Sequence, residues 1–138
     1  MAEDCIFCKI VNKEIPGDIV YEDDDVLAFM DIYPTSEAHT LVIPKVHSEN
    51  ILETSPELAG KIINVVQKIA PAVMKSAGMP ACVISNNCGK EAGQIIFHTH
   101  VHILPRAEGD GKQMWGPIET TPEQISANAQ KIREALNS

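Results

Sequence analysis

The stretch IIFHTHVHILPR, residues 95–106, places three of the chain's five histidines within five consecutive positions. Its length and alternation predict a long β-strand over 95–105. Side chains two apart on a strand share a face. His98, His100 and His102 should therefore look one way, with Thr99, Val101 and Ile103 turned into a helix-covered core. A single metal does not easily take all three. Same-face neighbours on a straight strand stand roughly 6.8 Å apart and the outer pair about 13 Å, whereas zinc holds nitrogen at about 2.0–2.1 Å. At least one histidine needs another task. The plain reading is a solvated or hydrogen-bonded face. The reactive reading is a neutral imidazole aimed at an electrophile, its other nitrogen held so that one tautomer prevails. Just upstream, NNCGKEAGQ (86–94) is a polar, glycine-bearing loop able to turn backbone amides toward an anion.

Outward from this stretch, the pattern is that of one small domain. The 138 residues and 44% hydrophobic share suit a single core. CIFCKIV (5–11) reads as a helical turn with an apolar face, ended by EIPGD (14–18). IVYEDDDVLAFMD (19–31) reads as a hairpin around an acidic turn, and HTLVIPK (39–45) as a strand that stops at Pro44. A long helix follows. Ser55 is its N-cap, Pro56 and Glu57 suit its first turn, and Gly78 is the residue after its end. Leu58, Ile62, Val65, Val66, Ile69 and Val73 form its buried stripe. Pro71 within this span should kink or split it. ACVIS (81–85) is a short strand. The tail, 120–138, is a second helix with Thr121 and Gln124 as a capping box and Ile125, Ala129, Ile132 and Leu136 as its stripe. No element is predicted for 107–120, where Trp115, the only tryptophan, is a candidate to cover a site or pack a dimer. The order of elements predicts an α+β fold, an antiparallel sheet with helices on one face.

The formal net charge of −8 argues against general nucleic-acid binding. No leader and no membrane-spanning run is expected, and four cysteines are too few for a disulfide framework, so a soluble cytoplasmic protein is the expectation.

Several separated motifs resemble the histidine-triad (HIT) family. HTHVHILPR resembles its His-x-His-x-His signature, and NNCGKEAGQIIFHTHVH its Asn-x-Gly…Gly-Gln…His-x-His-x-His stretch. CIFCKIV, EIPGDIVYEDDDVLAFMDI and HTLVIPKVH are similar, in order, to the Hint-like branch. The match covers Cys5 to Arg106, a core at 5–106 with 107–138 as C-terminal loop and helix. The resemblance implies a HIT fold, about five antiparallel strands with a long central helix and a C-terminal helix, the sheet extended across a homodimer. It also implies a nucleotide hydrolase acting at the α-phosphate, most often a purine nucleoside phosphoramidase. By position, His100 would be the nucleophile, His102 would contact the phosphate or assist the leaving group, and His98 would hold the arrangement. Asp31 would accept hydrogen bonds from ribose hydroxyls. Ile6, Phe7, Ile10, Phe29 and Ile32 would line the base and sugar pocket, although as bare residues they read as core. Asn87, Gly93 and Gln94 would sit beside the phosphate or leaving group. Hint-like members commonly carry serine after Gly-Gln. Ile95 stands there in this chain, so a hydroxyl contact is missing and backbone N–H donation survives. His39 would be a hydrogen-bonded structural histidine near the site.

Cys5 and Cys8 form a Cys-x-x-Cys pair, which alone can be redox-active, metal-binding or two buried thiols. Bacterial and archaeal members that resemble this chain bind zinc through four positions corresponding to Cys5, Cys8, His47 and His98, a normal structural set. Zinc is thus an implied cofactor, and His98 would face it while His100 and His102 stay free. Cys82 and Cys88 read as incidental thiols. Two alternatives to the phosphoramidase remain open: a dinucleoside polyphosphate hydrolase, and a nucleotide-binding scaffold with incidental catalysis.

Overall fold

The computed structural model describes residues 4–110 and 117–137. Trp115 lies outside them. The element order is α1 (Ile6–Val11), β1 (Ile19–Glu22), β2 (Val26–Met30), β3 (Thr40–Pro44), α2 (Pro56–Ala77), β4 (Ala81–Ser85), β5 (Val101–Arg106) and α3 (Pro122–Leu136). The strands form one antiparallel sheet in the order β1-β2-β3-β5-β4.

Period-two alternation divides the sheet into two apolar faces. Val26, Ala28 and Met30 of β2, Val42 of β3, and Val101 and Ile103 of β5 pack with Ile62, Val66, Ile69 and Val73 of α2 and Ile125, Ala129 and Ile132 of α3. Leu27 and Phe29 of β2, with Leu41 and Ile43 of β3, meet Phe7 and Ile10 of α1 on the opposite face. Helices were expected on one face only. The second face is covered too, by the short α1, which is why β2 and β3 are buried at every position. That second face also carries a cavity.

The helix α2 starts as read: Ser55 Oγ accepts from the Leu58 amide, and Pro56 occupies the first turn. At its end Gly78 takes the left-handed conformation (φ +65°), and the amides of Gly78 and Met79 close back on Lys75 and Met74. Pro71 does not split it; the helix runs unbroken for 22 residues. Pro71 faces solvent, while Ile69, Ala70, Ala72 and Val73 on either side of it are buried. Packing of that stripe offsets one lost backbone hydrogen bond. In α3 the capping box is half formed. Thr121 Oγ1 accepts from the Gln124 amide, but the Gln124 side chain turns to Asn128 Oδ1. Asn128 in turn donates to Glu37 Oε1, and Arg133 donates to the Ile19 carbonyl, which docks α3 against the strand side.

The strand predicted over 95–105 is shorter than expected. Its ladder begins only at Val101. The preceding residues pair elsewhere: the Thr99 amide donates to the Ser48 carbonyl at 2.8 Å, and its hydroxyl joins those of Ser48 and Thr54. The alternation persists across this irregular start. His98, His100 and His102 stay on the α1 side, where Phe7 packs edge-on to His98 and His100 and the rings of His100 and His102 lie 4.9 Å apart.

Candidate functional site

The row of three histidines joins two unlike environments. At one end, α1 is capped by its own first cysteine, whose sulfur accepts from the Cys8 amide. That turn brings both thiols to His98. Cys5 Sγ lies 3.3 Å and Cys8 Sγ 3.5 Å from His98 Nδ1, Cys8 Sγ lies 3.4 Å from His47 Nδ1, and the two Nδ1 atoms are 3.2 Å apart. The four donor atoms all fall within 4.8 Å of one another. A tetrahedral zinc with its usual bond lengths has S···N edges of about 3.6 Å and N···N edges of about 3.3 Å, so the spacing fits that ion. His98 Nε2 donates to the Pro44 carbonyl at 2.8 Å, which fixes the proton there and leaves Nδ1 as a bare lone pair, as a metal ligand requires. Burial holds His98 neutral, its pKa lowered to about 4. Burial, helped by Cys5, raises the Cys8 thiol to about 11, and a bound dication would reverse that preference.

At the other end the hydrogen bonds fix a chain of tautomers. The Thr35 amide donates to His39 Nδ1 at 3.1 Å, so the ring proton of neutral His39 sits on Nε2. That nitrogen lies 2.9 Å from His102 Nδ1, which must therefore accept. The proton of neutral His102 is left on Nε2. His100 differs. Its Nδ1 donates to the His98 carbonyl at 2.7 Å, so its Nε2 is the bare one. Both rings line the cavity. Neighbouring imidazoles thus offer a lone pair (His100) and an N–H (His102). Burial lowers the pKa of His39, His100 and His102, the last to about 3 with the two neighbouring histidines adding to the effect. The neutral forms that this chain of tautomers requires are the stable ones.

His39 owes its position to a tight turn. Ala38 adopts a left-handed backbone (φ +61°), and the Thr40 hydroxyl donates to the Ala38 carbonyl at 2.9 Å. A left-handed alanine costs about 1 kcal/mol, and here the turn places a buried imidazole against His102.

The cavity measures about 840 Å³. Ile6, Phe7, Ile10, Phe29, Asp31, Ile32, Asn87, Gly93 and Ile95 all line it with His100 and His102. Core and pocket are not alternatives here, since Phe7, Ile10 and Phe29 belong to the second apolar cluster and also form the cavity wall. Asp31 is partly buried; its Oδ1 accepts from the Tyr33 amide, and its Oδ2 is 3.6 Å from His39 Nε2. Gln94 is the departure. Its side chain is not part of the cavity wall. It is buried, accepts from the Gly89 amide and donates to the carbonyls of Glu49 and Ile96. Gln94 is therefore a brace that holds the loop 86–94 against the segment after β3. Asn87 is a second brace, donating to the Ala92 carbonyl at 2.7 Å while it faces the cavity. Gly93 has φ +93°, a backbone conformation that favours glycine, and lies beside the Asn87 side chain. Thr35, Tyr33 and Glu91 also line the cavity and carry no motif that would single them out. Cys82 is half-buried beside the helix-side core, and Cys88 takes no part in either end of the row.

Fold and site together define a small α+β protein with a histidine-lined cavity joined to a thiol–imidazole cluster. The HIT domain family matches residues 12–109. The chain is 50% identical over 111 residues to the Protein hit of Bacillus subtilis, 80% of this chain and 77% of that protein. It is 42% identical over 110 residues to an adenylylsulfatase of Arabidopsis thaliana, 80% of this chain and 56% of that protein. A solved structure of a zinc-bound histidine triad family protein from Mycobacterium smegmatis matches with a TM-score of 0.88 at 34% identity, over 99% of this chain and 96% of that one. The chain belongs to the HIT family.

Proposed function

We propose that this protein is an enzyme that hydrolyses purine nucleoside phosphoramidates through a nucleotidyl intermediate on His100. The observation that carries this is the pairing of complementary tautomers: a bare Nε2 on His100 beside an Nε2–H on His102, in one cavity. His100 Nε2 attacks the α-phosphorus, and a P–N bond to histidine forms as the P–N bond to the amine breaks. The departing nitrogen takes a proton from solvent as it leaves against the His102 Nε2–H, so His102 stays neutral throughout. Water then attacks the phosphorus, its proton passes to solvent, and His100 leaves with its Nδ1–H still donated to the His98 carbonyl. The apolar wall of Phe7, Ile10 and Phe29 takes the base, and the free lone pairs of Asp31 take the ribose hydroxyls. The Arabidopsis relative named an adenylylsulfatase supports the same attack at an adenylyl phosphorus.

Zinc is part of this reading, held by Cys5, Cys8, His47 and His98. The donor set and the zinc-bound M. smegmatis relative support it. With four protein ligands it would have no open position and would serve the fold, tying α1 to the start of the histidine row. A homodimer is part of it as well. Of the two sheet edges, β1 is occupied by Arg133 and carries a Lys13–Glu22 ion pair, whereas β4 is uncharged and exposes Ile84. The β4 edge is thus the one open to pairing. Among the described residues no helix is long and apolar enough to cross a membrane, and the four cysteines are unpaired, as suits a reducing cytoplasm.

The test is incubation with an AMP–alkylamine phosphoramidate, following AMP release. His100→Ala should lower kcat by about 10⁴-fold. Full activity in that variant overturns the assignment.

A further inference from the structure

The cavity that contains His100 does not end at the loop 86–94. A second depression of about 520 Å³ adjoins it, and the two share Ile6, Ile95 and Ile96. Phe97 continues the apolar wall. These side chains are unusually exposed for their type: Ile95 is 83% exposed, Phe97 42% and Ile6 41%. Exposed aliphatic and aromatic groups gathered at a cavity mouth mark a surface that meets a ligand.

The charge at this mouth has one sign. Among the described residues no lysine or arginine lines either depression, while Glu91 lines the first and Asp4 and Glu49 the second. The carboxylates of Glu22, Asp25 and Asp110 hold a lysine or arginine. Those of Asp4, Glu49 and Glu91 have no such partner among the described residues. An anionic group leaving His100 by this side would move toward three exposed carboxylates that no lysine or arginine among the described residues neutralises.

We propose that the groove bounded by Ile6, Ile95, Ile96 and Phe97 is the leaving-group subsite, and that it selects amines with an apolar body over amines that carry an anion. The inference rests on the phosphoramidate reading above for the reaction, and on the groove for the preference. The occupant follows from continuity with the His100 cavity, from the apolar wall and from the sign of the charge. Ile95 is the residue that sets the preference, since it belongs to both depressions and presents no hydroxyl. The phosphate in turn is met by the His102 N–H, and among the described residues no side-chain cation lines the cavity to draw a second anion in.

The experiment compares three AMP phosphoramidates whose amines have similar basicity: phenethylamine, ethylamine and β-alanine. In the wild type, kcat/KM should fall from phenethylamine to ethylamine to β-alanine, with about 100-fold between first and last. Ile95→Ser, at an exposed position that leaves the core untouched, should cut the phenethylamine-to-ethylamine ratio about tenfold. Glu49→Gln should raise the rate for β-alanine alone. Equal kcat/KM for the three amines, or a ratio unmoved by Ile95→Ser, overturns the subsite. Release of no AMP from any of them overturns the phosphoramidate reading instead. Calorimetric binding of the same series to His100→Ala then decides the subsite by itself: phenethylamide binding at least tenfold tighter than the β-alanine conjugate sustains it, and equal binding overturns it.

Discussion

The two ends of the histidine row are built from the same side-chain type on the same side of one chain segment, yet their surroundings differ. At the His98 end two sulfurs and a second imidazole close around the bare Nδ1, and the other ring nitrogen is fixed by Pro44. At the His102 end the ring is fixed by His39 and the free nitrogen faces a cavity. The difference lies in which neighbour holds which nitrogen. A histidine becomes a ligand or a reagent according to where its second hydrogen bond puts the proton. His100 stands between them and depends on both ends, since its Nδ1 is held by the His98 carbonyl and its ring packs on His102.

The largest expected break in that contrast is His100→Ala, which removes the lone pair and should leave about 10⁻⁴ of the steady-state rate with the fold intact. Next is the reagent end. His39→Ala frees His102 Nδ1 from its partner, so the proton is no longer confined to Nε2. Measured kcat should fall about 10- to 100-fold with little change in zinc content by elemental analysis. The ligand end should respond the other way round. Cys8→Ser should remove the metal and lower the melting temperature by about 5–10 °C. Its kcat, assayed well below that temperature, should fall by no more than about tenfold, through slackening of the His98 carbonyl under His100. Smallest is Gln94→Ala. It leaves the Gly89 amide and two carbonyls without a partner and should cost about 1–3 kcal/mol of stability by denaturant unfolding. A purely catalytic Gln94 would instead change kcat and leave stability alone.

Much of the frame was legible in the sequence because period governs it. The hairpin at 19–31, the strands at 40–44 and 81–85, the caps of α2 and the stripe of α3 follow from alternation, helical spacing and cap residues. That one ion does not easily take all three histidines was legible too, from strand spacing, whereas which of them stands apart came only from the family resemblance. Other features depend on contacts between distant segments, which no local pattern encodes. The delayed start of β5 follows from Thr99 meeting Ser48 and Thr54. The tautomer of His102 follows from His39, 63 residues away in the chain. The turn of the Gln94 amide onto Gly89, Glu49 and Ile96 was not legible, because a Gly-Gln pair says nothing of which way the amide points. Pro71 does not split α2 because its penalty is local, whereas the packing that offsets it belongs to the sheet.

The central claim is that His100 alone takes the nucleotidyl group. It is tested most directly by rapid quench of the wild type turning over an AMP–alkylamine phosphoramidate, followed by peptide mass mapping. The account predicts one adenylyl group per chain during turnover, on the peptide that carries the row, lost in His100→Ala and retained in His102→Ala. An adduct that persists in His100→Ala, or turnover with no adduct at any quench time and release of AMP at the wild-type rate by that variant, would contradict it.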